Sequence, residues 1–412
     1  MICDKIHSDK NEISRLYRKK GEIKRIKVYK GEVIMKVVIA IDSLKGSLSS
    51  IEAAEVIKAG ILTVNQEATV EISPLADGGE GTTEALVMGL NGEMKTVSVT
   101  GPLFETREAQ IGLLPNQTAV IEMAQAAGLP FVPTDKRNPL HTTTYGVGEM
   151  IKQSIDLGYR KFVIGIGGSA TTDAGIGMLA ALGYQFFDAK GEAVELTGEG
   201  LGNIERIDTT NVLKELAECE FNIACDVNNP LYGLNGAAHI YGPQKGATPQ
   251  IVEQLDNGLI HFSKVAAQLT GTDYATSEGA GAAGGLGFAF VAFLNGKLQS
   301  GIDIVLNETR LEEKVKTADI VITGEGRLDH QTAMGKGPIG VAKLAKKYNA
   351  LVIGLAGATT EDAVACNQEG MDAYFSIVNG AMSLEDAMNK EIAAKNMKAT
   401  TIQIFNLMKA VK

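Results

Sequence analysis

The chain has 412 residues, of which 45 % are hydrophobic and 21 % are charged. This length exceeds the size at which a single hydrophobic core usually stops growing, so two domains are predicted. The formal charge of −10 gives no support to a role in binding nucleic acid or an anionic membrane surface. An anionic ligand would need locally placed Lys, Arg or metal.

The cysteines and the apolar segments exclude two further classes of protein. Cys3, Cys219, Cys225 and Cys366 form no C-x-x-C pair, which argues against a zinc site or a disulfide scaffold and favours a reducing cytoplasm. The longest apolar run, 284–294, is about half the length needed to cross a bilayer. No membrane span is predicted.

Residues 1–34 differ in composition from the rest of the chain. They contain 10 Lys and Arg against 5 Asp and Glu, and they precede the first clear strand. A transit peptide would be poor in acidic residues, and a secretory signal would have an apolar centre. We expect this N-terminal extension to be disordered or poorly packed, or to lie upstream of a natural start at Met35.

From Met35 onward, buried strands alternate with amphipathic helices, which predicts an α/β fold. Ser49 and Glu52 form a predicted capping box at the first helix. The strongest strand candidates share apolar runs that end in glycine or an acid: 37–41, 70–73, 119–122, 162–166, 221–224, 320–323 and 351–355.

The arrangement of these units predicts two domains. We expect a discontinuous, Rossmann-like parallel-sheet domain formed by residues 35–75 plus 287–412. A second α/β domain, residues 76–286, would be inserted into it, and the active site would lie in the interdomain cleft.

The first loop with chemical potential follows the first strand. Asp42, Lys45 and Ser47 stand between the end of this strand and a helix start, where open α/β sheets bind ligands. Lys45 and the helix amides favour an anion, and Asp42 can hold a metal or accept a proton. The alternative is an ordinary helix cap with a solvated lysine.

A second loop, 74–82, contains Asp77 and Glu80 among three glycines. Carboxylates of this kind hold Mg²⁺, while glycines let backbone amides approach phosphate oxygens. A plain tight turn is the alternative for this segment.

The segment 162–183 joins a strand, a glycine loop, hydroxyls, an acid and a helix. Its candidate ligand contacts are Gly167, Gly168, Ser169, Thr171 and Asp173. The same segment matches G-x-G-x-x-A, with Asp188 about 20 residues later, as in a dinucleotide fingerprint. An NAD-linked oxidoreductase therefore stays an alternative, although Asp173 would lie unfavourably close to a pyrophosphate.

Three later loops supply further candidates. Asp226 and Asn228 follow a strand and can bind substrate hydroxyls or form an Asx turn. The glycine loop 279–287, with Gly284 and Gly285, either faces a nucleotide or allows close helix packing. Glu325, Arg327 and Asp329 follow the strand predicted at 320–323. His239 and Lys245 are possible contacts to which the sequence assigns no role.

Seven of these motifs together resemble the type I glycerate kinase family. They are DSLKGSLS at 42–49, PLADGGEGT at 74–82, IGGSATTDAGIGMLAALG at 166–183, DVNNP at 226–230, YGPQKGA at 241–247, GAGAAGGLG at 279–287 and TGEGRLD at 323–329. The resemblance covers the chain from about Met35 to the C-terminus. Their order makes it more specific than any single glycine loop.

The resemblance implies a cytoplasmic enzyme that uses ATP and Mg²⁺ to phosphorylate glycerate, with 2-phosphoglycerate as the favoured product. We expect Asp173, Asp42, Lys45 and Arg327 to be catalytic, with Asp173 favoured as the base, and Asp77 and Glu80 to hold the metal. Gly167, Gly168, Ser169, Thr171, Gly284 and Gly285 would bind nucleotide or phosphate, and Ser47, Asp226, Asn228, Glu325 and Asp329 would bind substrate. A non-catalytic anion-binding protein is the other alternative, and a homo-oligomer is left open.

Overall fold

The computed structural model describes residues 12–19, 22–29, 34–76 and 78–411, with side chains from residue 34 onward. Asp77, an expected metal ligand, lies outside the described residues. In the N-terminal extension, β1 (Glu12–Lys19) pairs antiparallel with β2 (Glu22–Tyr29), and the two strands form a sheet of their own. The natural start at Met35 stays a prediction.

The remaining strands confirm every strand predicted from the sequence and add several others. They are β3 (Lys36–Ile41), β4 (Thr69–Ile72), β5 (Glu93–Thr100), β6 (Thr106–Leu113), β7 (Thr118–Glu122), β8 (Lys161–Gly165), β9 (Gln185–Phe187), β10 (Arg206–Asp208), β11 (Glu220–Ala224), β12 (Lys297–Gln299), β13 (Ile320–Leu328), β14 (Leu351–Thr359) and β15 (Ala373–Ser376).

The α-helices of the described part mostly follow strands, as βα units require. They are α1 (Ser50–Val64), α2 (Thr82–Gly89), α3 (Ala124–Ala127), α4 (Tyr145–Asp156), α5 (Ile176–Ala181), α6 (Ala237–Tyr241), α7 (Pro249–Thr270), α8 (Ala282–Leu294), α9 (Gly301–Glu308), α10 (Leu311–Val315), α11 (His330–Ala333), α12 (Gly337–Lys347), α13 (Ala365–Gln368), α14 (Leu384–Met388) and α15 (Lys390–Ala410). Short 3₁₀ helices span Leu129–Phe131, Thr134–Lys136, Gly198–Asn203, Lys214–Glu218, Pro243–Lys245 and Glu361–Val364.

Five parallel strands form a Rossmann-like sheet in the order β15-β14-β13-β3-β4. Strand β3 is buried because both faces of this sheet are covered. Val37, Ile39 and Ile41 pack in a cluster with residues of α1 and α15, whereas Val38 and Ala40 pack with residues of α12. This two-sided burial explains the continuous apolar run that predicted the strand.

Helix α1 is held by a cap at its N-terminus and by contacts with the C-terminal helix α15. Its predicted capping box is confirmed, because Ser49 and Glu52 exchange hydrogen bonds between side chain and backbone. Its middle packs closely against the C-terminal helix α15, where a Cβ added at Gly60 would lie 2.9 Å from Cβ of Thr401. The first helix and the last helix therefore support each other on one face of the sheet.

The second sheet has six strands in the order β12-β11-β8-β7-β6-β5. Strands β12, β11, β8 and β7 are parallel, whereas β6 and β5 are antiparallel additions at one edge. Its strands β5, β6, β7, β8 and β11 fall within residues 76–286, the stretch predicted to form a second α/β domain. Because β12 belongs to it, the sheet takes in residues 297–299, beyond the boundary after residue 286 that we expected.

The helices in the described ranges are all too short or too polar to span a lipid bilayer. The two large sheets position the loops of the candidate site. Both carry their loops with predicted chemistry at the carboxyl ends of parallel strands, which is where α/β proteins bind ligands.

Candidate active site

A first cavity of about 740 Å³ lies at the carboxyl ends of the five-stranded sheet. The loop after β3, the end of β13 and the segment before and including α14 supply most of its wall. Six of the predicted residues line it: Asp42, Lys45, Ser47, Glu325, Arg327 and Asp329. Lys336 adds a further cation, and Met382, Leu384 and Met388 add apolar surface.

Asp42 is held rigidly at the edge of this cavity. Its backbone N–H donates to the Gly324 carbonyl at 2.9 Å, and its Oδ1 accepts from the Ser43 N–H at 2.6 Å. The residue is 8 % exposed. A carboxylate fixed in this way can orient a reacting group without first losing side-chain entropy.

The acids at the end of β13 organise their own loop. The hydroxyl of Thr332 donates to Glu325 Oε1 at 2.6 Å, and Asp329 caps α11 by accepting from the Thr332 N–H at 3.2 Å. Arg327 lies 3.6 Å from Asp329 through its Nε, and its side chain is 62 % exposed. Glu325 and Asp329 thus shape the loop that presents the guanidinium of Arg327.

A second cavity, of about 430 Å³, lies at the carboxyl ends of β8 and β11. Gly167, Gly168 and Ser169 line it, and Asp226 lines it as well. Oδ1 of Asp226 also accepts from the Gly301 N–H at the start of α9, at 3.1 Å. Asn228 is exposed and does not contribute to the described wall of this cavity.

A small cavity of about 50 Å³ shares two residues with the first cavity and one loop with the second. Asp42 and Ser43 line this cavity as well as the first one. Glu80 and Gly81 line it from the loop whose preceding residues, Gly78 and Gly79, line the second cavity. Asp42 and the loop 78–81 therefore meet at the small cavity, which the loop connects to the second cavity.

The loop 78–81 is anchored to the six-stranded sheet by a buried acid. Glu122, the last residue of β7, is 5 % exposed and accepts from the Thr83 N–H at 2.8 Å. Burial raises the pKa of this carboxyl, while its backbone donors act in the opposite direction. Glu122 thereby fixes the start of α2 and, with it, the loop that carries Glu80.

The described residues contain no cluster of three or more potential metal ligands. Glu80 and Asp42 nevertheless present two carboxylates to the small cavity. This donor set fits Mg²⁺, which commonly uses one or two protein carboxylates and completes its shell with water and phosphate oxygens.

Asp173 is fully buried and does not line any of the three cavities among the residues described. Its Oδ2 accepts from the N–H and the hydroxyl of Thr144, both at 2.8 Å, and its Oδ1 accepts from the Gly175 N–H at 3.2 Å. Burial raises the pKa of this carboxyl, while these donors lower it. The geometry suits an acid that fixes the loop 171–175 better than the base we expected.

Gly284 and Gly285 serve the same loop. Both have positive φ, and a Cβ added at Gly284 would lie 2.0 Å from the Thr171 carbonyl oxygen. The Ala174 N–H donates to the Gly284 carbonyl at 3.0 Å. Of the two readings of this glycine segment, the structure favours close packing, and its contact with the second cavity comes from Ala282 and Ala283 instead.

Replacing Gly284 by Ala is therefore expected to destabilise the fold. The new methyl group meets backbone atoms that cannot rotate away, and the positive φ adds strain, so we expect a loss of about 2 kcal/mol or more. The melting temperature of the variant measures it. Gly202→Ala, where an added Cβ meets nothing within 4 Å, is the matched control and should change stability little. Equal stability of both variants would contradict the packing role.

Lys245 is the residue whose importance the sequence did not reveal. It ends a 3₁₀ helix, is 2 % exposed and lines the second cavity. Its Nζ donates to Ser169 Oγ at 2.9 Å and to the Thr171 carbonyl at 2.5 Å. The side chain of Thr171 is buried and is not part of the described wall of the second cavity. The hydrogen bond from Lys245 to its carbonyl connects Thr171 to this cavity. A lysine in a glycine-rich turn gives no sequence signal of such burial.

Asp188 does not lie in the geometry that the dinucleotide fingerprint requires. Its Oδ1 accepts from the N–H groups of Lys190 and Glu192, so the side chain closes the tight turn 188–192. This is the ordinary use of aspartate in a turn.

Comparison with known proteins gives consistent matches. A model of the glycerate kinase family matches residues 37–409. The glycerate kinase of Bacillus subtilis is 48 % identical over 379 residues, which cover 92 % of this chain and 99 % of the relative. The glycerate 2-kinase of Escherichia coli is 45 % identical over 372 residues, with 89 % and 98 % covered.

A solved structure agrees with these matches. The crystal structure of a glycerate kinase 2 from Salmonella typhimurium superimposes with a TM-score of 0.85 and 45 % identity, covering 92 % of this chain and 99 % of that chain. These comparisons do not support the oxidoreductase or the non-catalytic anion-binding protein that the sequence left open.

Proposed function

The chain belongs to the glycerate kinase family, and from this premise we propose that it transfers the γ-phosphoryl group of ATP to a hydroxyl of glycerate. One observation supports this activity at the site described above: Asp42 lines the first cavity and the small cavity, and the loop 78–81 joins the small cavity to the second one. Phosphoryl transfer needs such an arrangement, because two substrates must meet in line at charged groups that position them.

We assign ATP to the first cavity. Its volume of about 740 Å³ and its apolar Met382, Leu384 and Met388 suit an adenosine group, whereas Lys45 and Arg327 suit the phosphates. Arg327 can bind phosphate oxygens with two parallel N–H groups, and Lys45 acts as a compact charge.

Glycerate is assigned to the smaller second cavity. The loop 167–169 offers backbone amides and the Ser169 hydroxyl to its oxygens, and Asp226 lines the same cavity. The active site would then lie in an interdomain cleft, with glycerate on the side of the six-stranded sheet and ATP on the side of the five-stranded sheet.

The residues at the small cavity would carry the chemistry. Asp42 orients the attacking hydroxyl and accepts its proton, and Asp173 keeps the glycerate loop in place. Glu80 and Asp42 would hold Mg²⁺ at the small cavity, with Asp77 as a further ligand expected from the sequence, and the metal would neutralise phosphate charge when bound. This leaves the protein to position and neutralise rather than to form covalent intermediates.

The test is ADP release by the full chain with ATP, Mg²⁺ and D-glycerate, followed by ³¹P NMR of the product. We expect release that requires both glycerate and Mg²⁺ and that stops when EDTA removes the metal. The NMR spectrum distinguishes 2-phosphoglycerate, which the glycerate 2-kinase relative favours, from 3-phosphoglycerate. Folded protein that releases no ADP with glycerate would contradict the proposal.

A further inference from the structure

Lys245 is buried at the wall of the second cavity by the packing of its own turn. Gly246 follows it with φ of +92°, and a Cβ added there would lie 2.2 Å from the Arg137 carbonyl oxygen. A larger residue at Gly246 would push the turn away. The packing of this turn therefore fixes the position of Lys245, which is not a flexible side chain on the surface.

Two hydrogen bonds of Lys245 use two of the three N–H donors of its ammonium group. Their acceptors are Ser169 Oγ and the Thr171 carbonyl. Because Lys245 also lines the cavity, the remaining N–H is available to a ligand there.

We propose that Lys245 binds an anionic oxygen, of a carboxylate or a phosphate, on the substrate held in the second cavity. This rests on the proposed function, under which the carboxylate of glycerate is the expected source. The same side chain would then fix the loop 169–171 and bind the substrate. A charge-assisted hydrogen bond in a secluded site is stronger than a neutral one.

Electrostatics couple this contact to pH. Burial lowers the pKa of the Lys245 ammonium to about 7, and the negative charge of Asp173 acts in the opposite direction. Asp226, Cys225 and Tyr241 are the other titratable groups in the described cavity wall. A bound anion would favour the charged lysine, so anion binding should weaken as pH rises through about 7.

The KM for glycerate should therefore rise with pH. Only the protonated lysine binds the anion, so KM should increase about tenfold between pH 6 and pH 8, while kcat changes little. The carboxylate of glycerate stays charged throughout this range, which removes the substrate as a cause. If the anion is instead a phosphate of ATP, the rise appears in the KM for ATP and not in that for glycerate.

Two variants and one control isolate Lys245. Lys245→Met should give a high KM that no longer depends on pH, and Lys245→Arg, which stays charged, should give a lower KM that is also independent of pH. Lys314→Met is the matched control, because Lys314 is partly buried and also has a lowered pKa, caused mainly by burial, but lies outside the three cavities. Its KM should follow pH as the unchanged protein does.

Stability gives a reading that needs no substrate. Because the pKa is lowered in the folded state, the unfolded chain binds more protons at pH between about 7 and 10.5, so this lysine makes the fold more stable as pH rises. The free energy of unfolding should thus rise more steeply between pH 7 and pH 9 in the unchanged protein than in Lys245→Met. Should Lys245→Met fold poorly, Lys245→Arg, which titrates far above this range, makes the same comparison.

The two proposals can fail separately. A protein that phosphorylates glycerate with the same KM for both substrates at pH 6 and pH 8 would overturn the role of Lys245 and leave the kinase standing. So would a Lys245→Met variant with unchanged KM values. A protein without turnover would overturn the kinase, and thermal shifts with glycerate or ATP at the two pH values would then test Lys245: stronger stabilisation at pH 6 supports it and equal shifts refute it.

Discussion

Replacing Asp42 by Asn is expected to lower kcat about 10²- to 10⁴-fold, the range typical of removing a positioned acid or base. Asn is nearly the same size and keeps an oxygen for the Ser43 N–H, so the fold should be preserved. It lacks the negative charge that, in the proposed mechanism, orients the attacking hydroxyl. Steady-state ADP release measures kcat, and a thermal melt shows that the variant is folded.

Asp319→Asn is the matched control for Asp42. Asp319 precedes β13, at the amino ends of the strands, whereas Asp42 follows the carboxyl end of β3. Oδ2 of Asp319 accepts from the Lys36 N–H at 2.8 Å. This substitution should leave kcat unchanged. Full turnover by a folded Asp42→Asn protein would exclude Asp42 from the chemistry.

The second large effect is expected for Arg327→Ala, which should raise the KM for ATP by about tenfold to a hundredfold. Hydrogen bonds to charged groups contribute about 1.5–3 kcal/mol, which corresponds to this change in KM. The guanidinium of Arg327 is exposed, so its removal should affect the stability of the fold little. KM for ATP is measured at saturating glycerate. Arg327→Lys keeps the charge but loses the planar fork, so an intermediate KM is expected.

Arg310→Ala separates this effect from a general loss of surface charge. Arg310 has a side chain that is 73 % exposed and pairs with Glu313 at 2.7 Å, much as Arg327 pairs with Asp329, but it is not part of the described walls of the three cavities. Its KM for ATP should not change. A rise in the KM for glycerate alone in Arg327→Ala would exchange the two substrate assignments.

The strands could be predicted from the sequence where burial is two-sided. Strand β7 is buried along its whole length, and its apolar run was easily recognised. Strand β5 was missed, because only Val97 and Val99 of its eight residues are buried and the others are polar or exposed. An edge strand with one covered face resembles a loop in its composition.

The sequence predicted candidate site residues, but it did not predict which of them line the same cavity. Asp42 and Lys45 follow β3 and Arg327 lies near the end of β13, and the structure brings all three to one cavity. Asp173 follows the same rule in sequence, yet its loop turns inward and the carboxyl meets Thr144. Local sequence does not contain this information, because the partner comes from 29 residues away.

The order of strands also determines when each half of the protein can be completed during synthesis. The six-stranded sheet is made from one continuous stretch of chain, 93–299. Strand β3, by contrast, is made first among the strands of its sheet and lacks its neighbour β13 until residue 320 has been added. On the ribosome, the inserted sheet can therefore fold while the first βα unit still waits for its partners. The early unit, with its apolar strand, is the part of the nascent chain that most needs protection from aggregation.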